Sequence, residues 1–73
     1  MENKEIEKNI VDFLRKNSGK RYTVRSLYHE LKALEKFPYQ YPTALKIIEI
    51  LVAKKKVKMI DYGVVKMVWV EDG

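Results

Sequence analysis

Apolar residues recur at helical spacing through the first part of the chain. A first apolar stripe is formed by Ile6, Ile10, Phe13 and Leu14. Its spacing of four, three and one residues predicts a helix over residues 4–17, with Asn3 as the N-cap. Gly19 follows this segment, and glycine readily takes the left-handed conformation that ends a helix.

A second stripe with the same period begins after a short extended segment, residues 20–22. It consists of Val24, Leu27, Tyr28, Leu31 and Leu34. Thr23 precedes the stripe and is a suitable N-cap, because its hydroxyl can accept from a free backbone amide of the first turn. We expect this second helix to end at Leu34 or Glu35, because residues close before Pro38 avoid the helical region.

The third helical segment follows a turn rich in aromatic residues, residues 37–42. Pro42 suits the first position of a helix, where a missing N–H group costs nothing. On a helical wheel of this segment, the side expected to face inward consists of Ala44, Leu45, Ile47, Ile48, Leu51 and Val52. The side expected to face outward consists of Thr43, Lys46, Glu49, Ile50 and Ala53. The lysine run 54–56 closes the segment, where cations favour the negative end of a helix.

Toward the C-terminus the period changes from 3.6 to 2, which predicts two strands over residues 57–60 and 64–70. Gly63 lies in the intervening turn and suits a left-handed hairpin position. In the last strand we expect the side with Val65, Met67 and Trp69 to face the helices. The whole pattern predicts one α+β domain over residues 1–73, with three helices packed against an antiparallel hairpin.

Composition narrows the function. The chain has 73 residues, no cysteine and one histidine, His29, which argues against a thiolate zinc site or a histidine cluster. We therefore expect no metal, no cofactor and no enzymatic activity. The apolar runs are too short to span a membrane, and the charged N-terminal segment is unlike a secretory signal. These features predict a cytoplasmic protein that does not enter a membrane.

Charge is concentrated in the middle of the chain. The overall net charge is +5, and residues 15–58 carry twelve basic and three acidic residues, a net charge of +9, between two acidic ends. Such a distribution suits a surface that faces phosphates. The alternative is that lysine-rich helices merely keep a small protein soluble.

Two segments carry a resemblance to a known family. GKRYTVRSL, residues 19–27, resembles the entry of a winged helix-turn-helix domain into its second helix. PTALKIIEILVAKKKV, residues 42–57, resembles that family's recognition helix running into its first wing strand. The order of helix, short strand, helix, turn, helix and hairpin is also that of the family, and the resemblance extends over residues 4–70.

This resemblance implies binding to double-stranded DNA, most simply in a small transcriptional regulator, with the third helix in the major groove and the hairpin wing on backbone or minor groove. The implied base-contacting residues are Tyr41, Thr43, Lys46 and Ile50. The implied phosphate-contacting residues are Arg21, Arg25, Lys54, Lys56 and Lys58. A homodimer is a further expectation, since palindromic half-sites mirror two-fold symmetry.

Three features depart from the family's pattern and keep other functions open. The outward side of the third helix has few usual base readers and carries Glu49, the wing tip carries Asp61, and the link over residues 34–41 is long. A winged-helix adaptor that binds a protein through Ile50 fits the first two features. A binder of RNA or single-stranded DNA would instead stack bases on Tyr39 and Tyr41, residues that also fit turn packing.

Overall fold

The computed structural model of the chain describes residues 3–71 and contains the three predicted helices and the hairpin. A short third strand joins the hairpin. The elements are α1 (Asn3–Lys16), β1 (Tyr22–Thr23), α2 (Val24–Ala33), α3 (Tyr41–Ala53), β2 (Lys58–Asp61) and β3 (Lys66–Trp69). Between residues 3 and 71, no helix is long and apolar enough to cross a membrane.

The helix starts agree with the predictions to within one residue. Thr23 is the N-cap of α2, as predicted, and its Oγ1 accepts a hydrogen bond of 3.0 Å from the Ser26 amide. The α1 helix already includes Asn3, so the prediction of Asn3 as N-cap is wrong. The α3 helix is capped by Gln40 and starts at Tyr41, one residue before the predicted Pro42, because proline is tolerated throughout the first turn.

The helix ends of α2 and α3 share one geometry. Glu35 and Lys55 take left-handed backbone conformations, with φ angles of 56° and 62°. In both cases the next amide donates to the carbonyl five residues earlier, over 2.9 Å, which satisfies a carbonyl that the helix leaves without a partner. The α2 helix therefore ends at Ala33, slightly before the predicted end, and Leu34 is exposed rather than part of the buried stripe.

The sheet is antiparallel with strand order β1-β3-β2. In its last strand the predicted facing is wrong, because Val68 and Val70 enter the core and Val65 is exposed. Trp69 is only 8% exposed but lies outside the core cluster, on the opposite side of β3. Both alternating sets of this strand are apolar, so periodicity alone could not decide which set faces inward.

The core is formed by the inward sides of the three helices together with one side of the sheet. The fully buried large side chains are Ile6, Ile10, Leu14, Leu27, Leu31, Ile48, Leu51 and Val68. Phe37, in the link between α2 and α3, is also buried, so this link is anchored to the core rather than loose. Tyr28 is half-buried at the edge of the core.

Candidate nucleic-acid interface

The outward side of α3 is the first part of the candidate interface. Lys46, Glu49 and Ile50 are exposed, and Thr43 is half-buried. The opposite side of the helix holds the protein together through Ala44, Ile47, Ile48 and Leu51. This side therefore offers one cation, one carboxylate, one hydroxyl and one apolar side chain, a sparse set for reading base edges.

Arg25 and Tyr41, which the sequence analysis assigned to different roles, lie together. Arg25 is in the first turn of α2 and Tyr41 is the first residue of α3. The guanidinium carbon of Arg25 lies 4.4 Å from the centre of the Tyr41 ring, a cation–π contact. It bridges the N-terminal ends of the two helices and fixes the position of an exposed cation.

Tyr41 belongs to a group of rings that we call the aromatic cluster, made of Tyr28, Phe37, Tyr39 and Tyr41. The ring centres are 5.6 Å apart for Tyr28 and Tyr41, and 6.1 Å apart for Tyr28 and Phe37. Phe37 and Tyr39 are 5.7 Å apart, and all three pairs meet edge to face, the favoured geometry for aromatic rings. The cluster holds the long link between α2 and α3, so Tyr39 and Tyr41 both take part in turn packing; a base contact by Tyr41 stays a prediction.

A second arrangement, which we call the sheet network, joins Arg21, Trp69, Glu71 and Lys58. The guanidinium carbon of Arg21 lies 4.3 Å from the centre of the Trp69 ring. The indole Nε1 of Trp69 donates to Glu71 over 3.5 Å, and Lys58 Nζ lies 3.2 Å from the second oxygen of that carboxylate. Two predicted phosphate-contacting residues, Arg21 and Lys58, thus belong to one surface network.

Electrostatics in the sheet network favour the ionised form of Glu71. The hydrogen bond from Lys58 is the largest cause that lowers the pKa of Glu71 below its ordinary value of 4.5, followed by the hydrogen bond from Trp69. Each partner stabilises the carboxylate more than the neutral acid. Glu71 is therefore charged at neutral pH and offsets part of the charge of Lys58.

Lys54 and Lys56 lie at the C-terminal end of α3. Lys54 Nζ lies 3.0 Å from the Glu7 carboxylate on α1, and Glu7 is the more buried partner. This contact ties α3 to α1 and offsets the charge of Lys54, while Lys56 is exposed. Phosphate binding by Lys54 stays a prediction, and here it would require the cation to leave Glu7 or to serve both anions.

The comparisons with known proteins address the fold. No protein-family model matches the chain, and no curated protein matches it. A solved structure from work on the DNA recognition and protein interaction domains of HOP2, and on its homologous DNA pairing properties, is similar to the chain with a TM-score of 0.76. The two are 17% identical in sequence, and the match covers 90% of this chain and 98% of that one. The chain has the winged-helix fold.

The winged-helix fold relates the predicted site residues to one another. In this fold α2 and α3 form the helix-turn-helix, and the β2–β3 hairpin is the wing. The structure brings Arg25 to Tyr41 and links Arg21 to Lys58 through Trp69 and Glu71. Thr43, Lys46 and Ile50 lie on α3. Among residues 3–71, no three histidine, aspartate or glutamate side chains come close enough to hold a metal ion.

Three contributors to the winged-helix surface were missed by the sequence analysis. Glu7 neutralises Lys54, Glu71 anchors Lys58, and Trp69 supports Arg21. Glu71 lies two residues after Trp69, and in extended backbone side chains two residues apart point to the same face. The sequence therefore did contain a signal for this pair. The pairing of Lys54 with Glu7, 47 residues apart, had no such local signal.

Proposed function

We propose that this winged-helix domain binds double-stranded DNA, with α3 in the major groove and the surrounding cations on phosphates. The observation that carries the proposal is that two arginines, Arg21 and Arg25, are each held over an aromatic ring at exposed positions. A cation fixed in this way loses little side-chain entropy when it meets a phosphate. The likeness to a structure concerned with DNA recognition by HOP2 supports the same reading.

Phosphate contacts supply most of the affinity in this proposal. Arg21, Arg25, Lys46, Lys56 and Lys58 are exposed cations around α3 and the hairpin. If all five neutralise phosphates, the logarithm of the binding constant falls with the logarithm of salt concentration with a slope of about −4 to −5. Three of these cations already have a ring or carboxylate partner, which restrains their geometry: Arg21 lies over Trp69, Arg25 over Tyr41, and Lys58 pairs with Glu71.

Sequence preference follows from the sparse outward side of α3. Thr43 can touch a thymine methyl or accept a hydrogen bond, and Lys46 can reach a guanine. Glu49 on the same side is exposed and repels phosphates. We therefore propose that the domain reads duplex shape and backbone more than base identity.

Several finer expectations belong to this proposal. Regulation of transcription is one role that duplex binding can serve, and DNA pairing, as described for HOP2, is another. Duplex binding is common to both. We propose a binding module rather than an enzyme, located in the cytoplasm, that can act as a homodimer on two half-sites.

The proposal is tested by titrating labelled random duplex DNA with the protein over a series of salt concentrations. We expect a linear logarithmic salt dependence, and we expect Lys46→Ala to reduce its slope by about 1. Lys16→Ala is the matched control, because Lys16 is an exposed lysine at the end of α1 and takes part in none of the proposed contacts. Absence of binding at low salt, or equal slope changes for both variants, contradicts the proposal.

A winged-helix adaptor that binds a protein is the second candidate. It is favoured by Ile50, which is 48% exposed on the outward side of α3 next to the exposed Glu49. Ile50→Asp would abolish binding to such a partner, whereas charge reversal at Lys54, Lys56 and Lys58 would leave it intact. The reverse pattern on duplex DNA supports the first candidate.

A further inference from the structure

The loop of the hairpin concentrates exposed apolar side chains. We call residues 62–65 the wing tip. Tyr62 is 62% exposed, Val64 99% and Val65 39%, so the wing tip holds three of the five exposed large hydrophobic residues between positions 3 and 71. The other two, Leu34 and Ile50, lie singly on other elements. Apolar side chains grouped in this way on a small protein mark a contact site rather than an accident of composition.

Backbone hydrogen bonds shape the wing tip. The Tyr62 amide donates to the Val65 carbonyl over 2.8 Å, which closes the loop. The Gly63 amide donates to Asp61 Oδ1, also over 2.8 Å, and Gly63 has a φ of 94° that favours glycine. Asp61 therefore serves as a turn-forming residue. The acid that argued against a DNA-contacting wing is engaged within the loop.

The shape and chemistry of the wing tip restrict what it can contact. It is a narrow, convex loop with Val64 at its most exposed point, and the adjacent residue Lys66 is a cation paired across the ladder with Asp61. A convex apolar point needs a narrow recess with apolar walls. In a DNA duplex, the faces of stacked bases supply such walls when a base step opens toward the minor groove.

We propose that the wing tip acts as a wedge, in which Val64 inserts from the minor groove at a base step while Tyr62 packs beside it, and that this unstacks the step and bends the duplex. The inference rests on the proposed duplex binding and specifies what the wing does there. Because the loop is already shaped by its hydrogen bonds, insertion requires little further ordering of the protein. The bend brings more of the flanking DNA against the basic surface.

DNA suits the wedge better than a protein partner does because the wing tip continues the proposed interface. β3 carries Trp69, the support for Arg21, and pairs with β1, which leads directly into the first turn of α2 and Arg25. The wing tip thus joins the strand that carries Lys58 to the strand whose Trp69 supports Arg21, two residues proposed to contact phosphates. Lys66 lies opposite Asp61 in the ladder and offsets its charge, so the apolar side chains rather than a net charge characterise the wing tip.

The experiment uses the whole chain and a duplex with 2-aminopurine at central TA steps, which are the easily unstacked steps, and with a dye at each end. Binding is measured by anisotropy, unstacking by 2-aminopurine fluorescence, and bending by energy transfer between the dyes. We expect wild-type protein to raise 2-aminopurine fluorescence and energy transfer. We expect Val64→Ser to lose both signals while it still binds the duplex with a linear logarithmic salt dependence.

Two further variants complete the test. Val64→Leu, which keeps an apolar point of the wing tip, should retain unstacking and bending. Leu34→Ser is the matched control, because Leu34 is also an exposed apolar residue but lies just after α2, and it should behave as wild type. Circular dichroism verifies that each variant is folded.

Failure of the wedge is distinguishable from failure of duplex binding. Wild-type protein that binds with a steep salt dependence but neither unstacks nor bends the duplex overturns the wedge and leaves the proposed function in place. Unstacking and bending that survive Val64→Ser also overturn it, because Val64 is then not the inserted side chain. Absence of binding at low salt removes the proposed function itself.

Discussion

Two arginines of this domain each lie over an aromatic ring, but the two rings are held in place in different ways. Arg25 lies 4.4 Å from the ring of Tyr41, and Arg21 lies 4.3 Å from the ring of Trp69. Tyr41 is part of the aromatic cluster, which reaches the core through the buried Phe37. Trp69 lies on the side of the sheet away from the core cluster and is connected to the exposed charges of the sheet network.

The difference shows how a small domain can position cations in two ways. Packing in the aromatic cluster depends on buried apolar area and does not require a titrating side chain. The sheet network depends on an exposed carboxylate, whose interactions salt screens and protons remove. We therefore expect Arg25 to keep its position under conditions that loosen Arg21, and the variants below separate the two supports.

Phe37→Ala should have the largest effect, because it removes the ring that joins the aromatic cluster to the core. Loss of a buried phenylalanine costs about 3 to 5 kcal/mol in the free energy of unfolding. A domain of this size has only about 4 to 11 kcal/mol in total. Urea unfolding followed by circular dichroism measures the loss.

Two comparisons sharpen this prediction. Phe37→Leu retains most of the apolar volume and should cost less than Phe37→Ala. Trp69→Ala should also cost less, because Trp69, although only 8% exposed, lies outside the core cluster to which Phe37 belongs. Equal losses for Phe37→Ala and Trp69→Ala would show that the two supports do not differ in the way that their packing indicates.

The next largest effect concerns DNA affinity. Arg25→Ala removes a fixed phosphate-contacting cation, so we expect the duplex affinity to fall about tenfold and the salt slope to fall by about 1. Arg25→Lys keeps the charge but loses the planar group that lies over Tyr41, and it should fall between wild type and Arg25→Ala. The corresponding Arg21 variants should follow the same order with smaller differences, since the sheet network around Arg21 includes the exposed charges of Lys58 and Glu71.

Thr23→Ala should have an intermediate effect on stability and should act on one arginine more than on the other. Its hydroxyl caps α2 over 3.0 Å, and loss of such a cap costs about 1 kcal/mol. The first turn of α2, which carries Arg25, then loses its restraint. Thr23→Ser, which keeps the hydroxyl, is the control. A fall in duplex affinity that disappears in the Arg25→Ala background would locate the effect at Arg25.

The helical part of this fold followed from the sequence because its signals are local and independent. Thr23 caps a helix through its own hydroxyl, Gly19 takes a left-handed φ of 84°, and the period of α3 separates its buried and exposed sides. The sequence did not indicate the left-handed backbone at Glu35 and Lys55, because neither residue type favours that conformation. The helix ends there are set by the hydrogen bonds that close them.

The sheet and the supports of the arginines were predicted less well because their signals are not local. The facing of β3 was wrong because Val68 and Trp69 are both apolar, and only pairing with β1 decides which one enters the core. The cations themselves were identifiable from charge and family resemblance. Their partners were not, because Glu7 meets Lys54 from another helix and Arg21 reaches Trp69 across the sheet.

The smallest expected effect is a pH dependence of the sheet network. Because Lys58 and Trp69 lower the pKa of Glu71 in the folded protein, the network stabilises the fold fully above the ordinary pKa of 4.5. This contribution diminishes as the pH falls below that value and is lost once Glu71 is protonated in the folded state as well. Fluorescence of Trp69, the single tryptophan, reports the transition, which Glu71→Gln should remove.

Fluorescence at neutral pH should also change in Glu71→Gln, because the charged partner of the indole is lost. If the acid transition of Trp69 persists in Glu71→Gln, another group controls this support. The contrast between a core-anchored Arg25 and a charge-anchored Arg21 would then not hold.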